Sequence, residues 1–221
     1  MNEVMVNEFL AKYVKSGMVV GLGSSHLSEL FAKKLALKIH DENLDVSVVP
    51  GSSKLAALLH EFHVTITNLN EREVDLAIEF ARQADNDFSF IKQDTLSLIR
   101  DKMIADSAAE LIIIVEEDEL VTKLDAWIPL EISSFSYPRT LNSLDKFGNA
   151  VIKRINGSLF KTETGNMLAE VKVDSEFDLT DFDYETKKIP GVLETGLFFE
   201  KADRIVLANN EIKVKSRMTN Q

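Results

Sequence analysis

Twice near its start the chain takes an apolar run to a glycine and then, through two serines, into an amphipathic stretch. The first junction is Met18-Val19-Val20-Gly21-Leu22-Gly23, then Ser24-Ser25 and an apolar periodicity reaching Ile39. The second is Asp45-Val46-Ser47-Val48-Val49-Pro50-Gly51, then Ser52-Ser53 and a periodic segment ending near His63. A short apolar run closed by glycine reads as a buried strand, and serine opening a 3.6-residue periodicity reads as a helix N-cap. Parallel strands need such a crossover, usually a helix, between them. These junctions commit the N-terminal part of the chain to an α/β sheet.

The spacing predicts a helix over 1–16, stopped by Gly17, and strands over 64–69, 74–80 and 110–118. It predicts a helix over 90–108, capped near Asp94 or Thr95. Leu111 to Val115 is apolar without interruption, as expected of a strand covered on both faces. The pattern changes after about residue 126. A strand over 126–133 and a helix over 138–147 precede two alternating segments, 149–156 and 166–173, that suit an antiparallel sheet with one wet face. A weakly amphipathic acidic helix over 177–189 ends at Pro190-Gly191, and 202–208 is again a core strand. The expected fold class is α/β, a doubly wound, mostly parallel sheet with a second, smaller α+β domain. The larger domain is placed at 1–126 plus 199–221 and the smaller at 127–198.

Composition narrows the function. A formal charge of −11 argues against nucleic acid or an anionic membrane surface as partner. The absence of cysteine excludes disulfides, thiolate metal sites and cysteine nucleophiles. The N-terminus lacks a basic segment followed by an apolar run, and the apolar stretches are far shorter than a bilayer span, so a cytoplasmic protein is expected.

Few residues announce chemistry alone. Gly21-Leu22-Gly23-Ser24-Ser25 offers a close backbone approach, a helix start and two hydroxyls, which suit a phosphate. Any tight strand-to-helix turn favours the same residues, and the third glycine of a dinucleotide fingerprint is missing. Pro50-Gly51-Ser52-Ser53 is read as a plain turn with a serine cap. His60 and His63 share a helix, but no third ligand is placed by the sequence, so no metal site is assigned. Lys92 and Asp101 supply an ammonium and a carboxylate near strand ends. Glu116 to Glu119 reads as a solvated loop.

Several segments together resemble type A ribose-5-phosphate isomerase. They are Gly17-Met18-Val19-Val20-Gly21-Leu22-Gly23-Ser24-Ser25, Val74-Asp75-Leu76-Ala77-Ile78, Phe90-Ile91-Lys92, Leu98-Ile99-Arg100-Asp101-Lys102, Ile128-Pro129-Leu130-Glu131-Ile132, Thr164-Gly165-Asn166, and Ile189-Pro190-Gly191-Val192-Leu193-Glu194-Thr195-Gly196-Leu197-Phe198. The resemblance implies a Rossmann-like larger domain and a ferredoxin-like smaller one. It implies aldose–ketose isomerisation of ribose 5-phosphate, with a carboxylate moving a proton through an enediolate, and no cofactor or metal. It also implies a phosphosugar ligand and a homodimer or homotetramer.

The active-site positions depart from the family pattern. The Asp-Gly-Ala-Asp segment falls on Glu79-Phe80-Ala81-Arg82, and the Lys-Gly-Gly-Gly segment on Lys92-Gln93-Asp94-Thr95. The general base, a glutamate in the family, falls on Asp101, and a catalytic lysine falls near Glu119. By resemblance Asp101 and Lys92 are the catalytic candidates, and Gly23, Ser24, Ser25, Glu79, Arg82 and Lys92 the substrate-binding ones. An acid has become Arg82 and a lysine Glu119, so these two are expected to pair across the cleft. The expectation is a sugar-phosphate-binding family member whose original catalysis is lost or altered. The alternatives are an active isomerase using Asp101 as base, or a non-enzymatic phosphosugar sensor or partner-binding subunit.

Overall fold

The structure, a computed structural model, describes residues 2–92, 94–208 and 213–217. Gln93, aligned above with the lysine–glycine turn, lies outside the described residues, as do Met1 and parts of the expected return segment 199–221. Asn2 opens α1 (Glu3–Tyr13) by accepting Met5 N at 2.9 Å. Then come β1 (Val19–Leu22), α2 (Ser28–Asp41), β2 (Ser47–Pro50), α3 (Ser53–Glu61) and β3 (Thr65–Ile66). A long strand, β4 (Val74–Asp85), leads to β5 (Phe90–Lys92), α4 (Leu98–Asp106), β6 (Ala108–Glu116) and β7 (Leu120–Val121). The chain continues through β8 (Ile128–Ile132), α5 (Tyr137–Leu144), β9 (Gly148–Ile152), the hairpin β10 (Arg154–Ile155) and β11 (Ser158–Leu159), β12 (Met167–Val173) and α6 (Leu179–Lys187). It closes with β13 (Val192–Thr195), β14 (Leu197–Phe198), β15 (Arg204–Ala208) and β16 (Lys213–Ser216).

The main sheet runs β16-β15-β6-β4-β1-β2-β3, parallel throughout except at β16. Period-two alternation divides its side chains between two cores. On β6, Ile112 and Ile114 face the layer of α1, α2 and α3, while Leu111, Ile113 and Val115 face the layer that contains Ile104 of α4. Phe9, Phe31 and Phe80 stack edge to face in the first layer. Phe90 and Phe198 stack at 4.4 Å in the second. The smaller sheet, β13-β8-β12-β9, is antiparallel and buries Phe147 and Phe182 with the α5 and α6 side of its core. The class is α/β: a doubly wound, mostly parallel sheet with a second, smaller α+β domain.

β4 links the two parts. Its first half lies between β1 and β6, and its second half leaves the parallel sheet to pair with β5 and β7. The register against β5 shifts between Ala81 and Gln83, placing Arg82 at a bulge.

Two helix boundaries differ from expectation. The helix expected over 90–108 is a strand followed by a shorter helix. Phe90 and Ile91 pair with β4 and β14, and tertiary pairing overrides the helical spacing. Ser97, rather than Asp94 or Thr95, caps α4, accepting Arg100 N. Asp94 turns to His26, 2.5 Å away, and Thr95 gives its hydroxyl to Asp101. Likewise α2 begins at Ser28 rather than at the first serine pair, because Ser24 is committed to Asp101.

Candidate functional site

The two Gly-Ser-Ser junctions lie side by side at the carboxyl ends of β1 and β2, with Gly51 N donating to Leu22 O at 2.8 Å. This is where ligands of wound sheets bind. Here the position is filled by a side chain of the protein. Asp101, one turn into α4, sends its carboxylate back into the first junction. Oδ1 accepts Ser24 N at 2.8 Å, and Oδ2 accepts Ser24 Oγ at 2.8 Å and Thr95 Oγ1 at 2.7 Å. The second junction closes over the same group, since a Cβ on Gly51 would stand 2.9 Å from Asp101 Oδ1. A turn suited to an external anion thus holds an internal one.

Lys92, at the end of β5, completes the cluster. Its Nζ donates to Ser24 O at 2.7 Å and lies 2.8 Å from Glu79 Oε2 and 3.6 Å from Asp101 Oδ2. Ser24, Glu79, Lys92 and Asp101 are all fully buried. Glu79 contacts Lys92 as an ion pair, yet neither of its oxygens has a well-directed hydrogen bond among the described residues. Burial pushes its carboxyl from 4.5 to about 8; Lys92 pulls against this and Asp101 adds to it. Burial would lower Lys92, but Asp101 and Glu79 together carry it above 10.5. With Glu79 protonated, Lys92 and Asp101 balance and the cluster is neutral. Gly23 has no room for a side chain, because a Cβ there would meet the Glu79 carboxylate at 2.1 Å.

Five of the expected site residues therefore meet: Gly23, Ser24, Glu79, Lys92 and Asp101. Ser25 stands beside them but uses its hydroxyl to accept Leu27 N at 3.3 Å. Arg82 does not join, and the expected Arg82–Glu119 pair is not formed. From the bulge in β4, Arg82 reaches the small sheet, with Nη2 2.8 Å from Glu170 Oε1 and Nη1 3.0 Å from Trp127 O. The bulge turns it away from the strand ends, so the inferred exchange of signs with Glu119 has no structural counterpart.

Three residues were missed as functional. Thr95, read as a candidate helix cap and as a lost glycine, is a ligand of Asp101. Glu131 on β8 is a fully buried carboxylate accepting Thr162 Oγ1, Thr164 Oγ1, Asn166 Nδ2, Ser97 Oγ and Ile99 N. Burial works to raise it, but these bonds hold it below 4.5. It ties the turn over 162–166 to the start of α4. Glu163 in that turn accepts Ser53 N at 3.1 Å and Ser53 Oγ at 2.5 Å, occupying the start of α3. The available signal was the acid inside Ile-Pro-Leu-Glu-Ile, an ionisable residue in an otherwise apolar strand. Among the described residues no group of three or more His, Asp or Glu side chains is placed to hold a metal. No described helix is long and apolar enough to cross a membrane.

A wound sheet with a carboxylate–ammonium cluster at its strand tips and a small antiparallel domain beside it defines the class. Residues 47–212 match the family profile of ribose 5-phosphate isomerase A (phosphoriboisomerase A). The chain is 33% identical over 214 residues to ribose-5-phosphate isomerase A of Bacillus mycoides, covering 95% of this chain and 96% of that one. Ribose 5-phosphate isomerase A from Methanocaldococcus jannaschii superposes with a TM-score of 0.88 at 28% identity, covering 97% and 98% of the two chains. A D-ribose-5-phosphate isomerase in complex with phospho-erythronic acid superposes with a TM-score of 0.88 at 26% identity, covering 98% and 100%. The chain belongs to the ribose 5-phosphate isomerase A family.

Proposed function

We propose that this family member binds a sugar phosphate or related small anion at the strand-tip site, and that the original aldose–ketose catalysis is lost or altered. One observation carries the reading. Asp101, at the position of the family's general base, is fully buried and accepts three hydrogen-bond donors from within the protein. A general base must come within about 2.6–3.2 Å of the proton it removes. A carboxylate enclosed by Ser24, Thr95 and Lys92 reaches no sugar carbon in this arrangement. Arg82, engaged with Glu170, supplies no cation to the cluster.

A second reading, an active isomerase with Asp101 as base and Lys92 as clamp, draws on one observation. The ammonium of Lys92 still stands between two carboxylates, the acid–base grouping that enediolate chemistry needs. Turnover of ribose 5-phosphate separates the two readings. The first expects no isomerisation above background, together with saturable stabilisation by ribose 5-phosphate or phospho-erythronic acid. Saturation at 100 times Kd adds about 2.7 kcal/mol. Turnover abolished by Asp101→Asn overturns it.

On the same reading, residues 1–126 with 199–221 form the Rossmann-like domain and 127–198 the small, ferredoxin-like one. In support, the strands of the small sheet lie between Ile128 and Thr195, and β15 returns to β6. A homodimer or homotetramer is carried over from the family, and sedimentation velocity reads it directly.

A further inference from the structure

A second group of charged side chains converges away from the Asp101 cluster, on a cleft of about 660 Å³ between α4, the end of α6 and the β13–β14 corner. Small-molecule sites commonly measure about 300–1,000 Å³. Lys102 Nζ of α4 and Lys187 Nζ of α6 lie 2.8 Å and 2.9 Å from the same atom, Glu194 Oε1 on β13. Thr195 N donates to that oxygen as well, at 2.8 Å. Three donors thus crowd one carboxylate oxygen, which offers two lone pairs. Lys102 has three N–H bonds, and Glu194 is its one hydrogen-bond acceptor among the described residues. Lys187 also reaches Asp183 Oδ2 at 3.0 Å, and Lys201 pairs with Asp106 on the same rim, so the donor capacity left over in the cleft is chiefly that of Lys102. The wall beside Lys102 is apolar: its Nζ lies 5.0 Å from the Phe198 ring centroid, and Met103 and Leu193 are exposed where they line the cleft.

We propose that this cleft is a second small-molecule site, taking an organic phosphate whose apolar body lies against Phe198, Met103 and Leu193. A phosphomonoester places separate oxygens on Lys102 and Lys187, which the single Glu194 oxygen cannot do, and charge-assisted bonds of this kind are the stronger ones. Glu194 is then the built-in competitor that the ligand displaces from Lys102 and Lys187, while Asp183 keeps its hold on Lys187. Burial holds Lys102 below its ordinary range, with Glu194 pulling the other way and the neighbouring Lys187 adding to the lowering.

The test uses the full chain labelled at its methionine methyl groups, six in all, with Met103 assigned through Met103→Leu. Phenyl phosphate is the probe, with inorganic phosphate and benzoate as its separate halves. The Met103 methyl should shift saturably with phenyl phosphate and bind either half more weakly. Glu194→Gln should tighten binding by about three-fold, and Lys102→Met should weaken it by about ten-fold, as expected when one charge-assisted bond is gained or lost. The remaining methyl signals report whether each variant is folded. The gain expected of Glu194→Gln decides the matter even where Lys102→Met does not fold. An unmoved Met103 methyl, or a Kd unchanged in Glu194→Gln, overturns the proposal. Neither result bears on the Asp101 site, which is read by ribose 5-phosphate turnover.

Discussion

Asp101 holds Ser24 from two sides at once, accepting its backbone N–H on one carboxylate oxygen and its hydroxyl on the other, each at 2.8 Å. The residue that would serve as base is thereby the internal counter-anion of the turn that would hold a phosphate.

Removing that carboxylate takes away one of the two carboxylates facing the buried Lys92 and leaves Glu79 as its sole carboxylate neighbour in the cluster, no longer raised by Asp101. Breaking a buried ion pair from one side costs about 3–5 kcal/mol. Asp101→Ala should lose stability in that range by urea denaturation, and Asp101→Asn somewhat less. A loss under about 1 kcal/mol would show that Asp101 is solvated in solution.

Glu79 makes stability depend on pH. Its folded pKa, about 8, lies above its ordinary 4.5, so between these values the folded state holds a proton that the unfolded state has released. The associated stability is complete below about pH 4.5 and falls as pH rises towards 8, with a slope approaching about 1.4 kcal/mol per pH unit. Glu79→Gln should flatten this slope between pH 5 and pH 8. An equal slope in wild type and variant would place the titration elsewhere.

Arg82 and Glu170 are partly exposed, so their pair should contribute no more than about 1 kcal/mol. A double-mutant cycle between them should still give measurable coupling. The same cycle between Arg82 and Glu119 should be additive within about 0.3–0.5 kcal/mol. Coupling only in the second cycle would restore the pairing expected from sequence.

Glu131 collects donors from two segments, the start of α4 and the 162–166 turn, and Glu131→Ala leaves Thr162 and Ser97 buried without this acceptor. Each buried polar group left unpaired costs about 1–3 kcal/mol. The variant should melt earlier and be cleaved faster by protease within 162–166. Unchanged cleavage there would mean that the turn is held by other contacts.

The wound sheet was legible because β1, β2 and β6 are buried on both faces and their turns carry Gly-Ser-Ser or acidic residues. The interval from Phe90 to Ser97 was not. Its strand exists through pairing with β4, its hairpin neighbour, and with β14, which comes from far along the chain. The meeting of Ser24, Lys92 and Asp101 followed from family segments, whereas its sealed state depends on Gly51, far from Asp101 in the chain, and on Thr95, which turns to Asp101 instead of capping the helix. Arg82 misled for a related reason: charge counting fixes a sum but not a direction, and a bulge of one residue re-aims the side chain.

That bulge also limits how such a chain can vary. Side chains on a strand alternate faces, so gaining or losing one residue along β4 inverts every side chain beyond the change. Glu79 and Arg82 ride on one continuous ribbon, the first locked in the ion cluster and the second anchored to the neighbouring sheet. Substitution can rewrite the chemistry of this protein one residue at a time, but a change of length in the ribbon would unseat both anchors together.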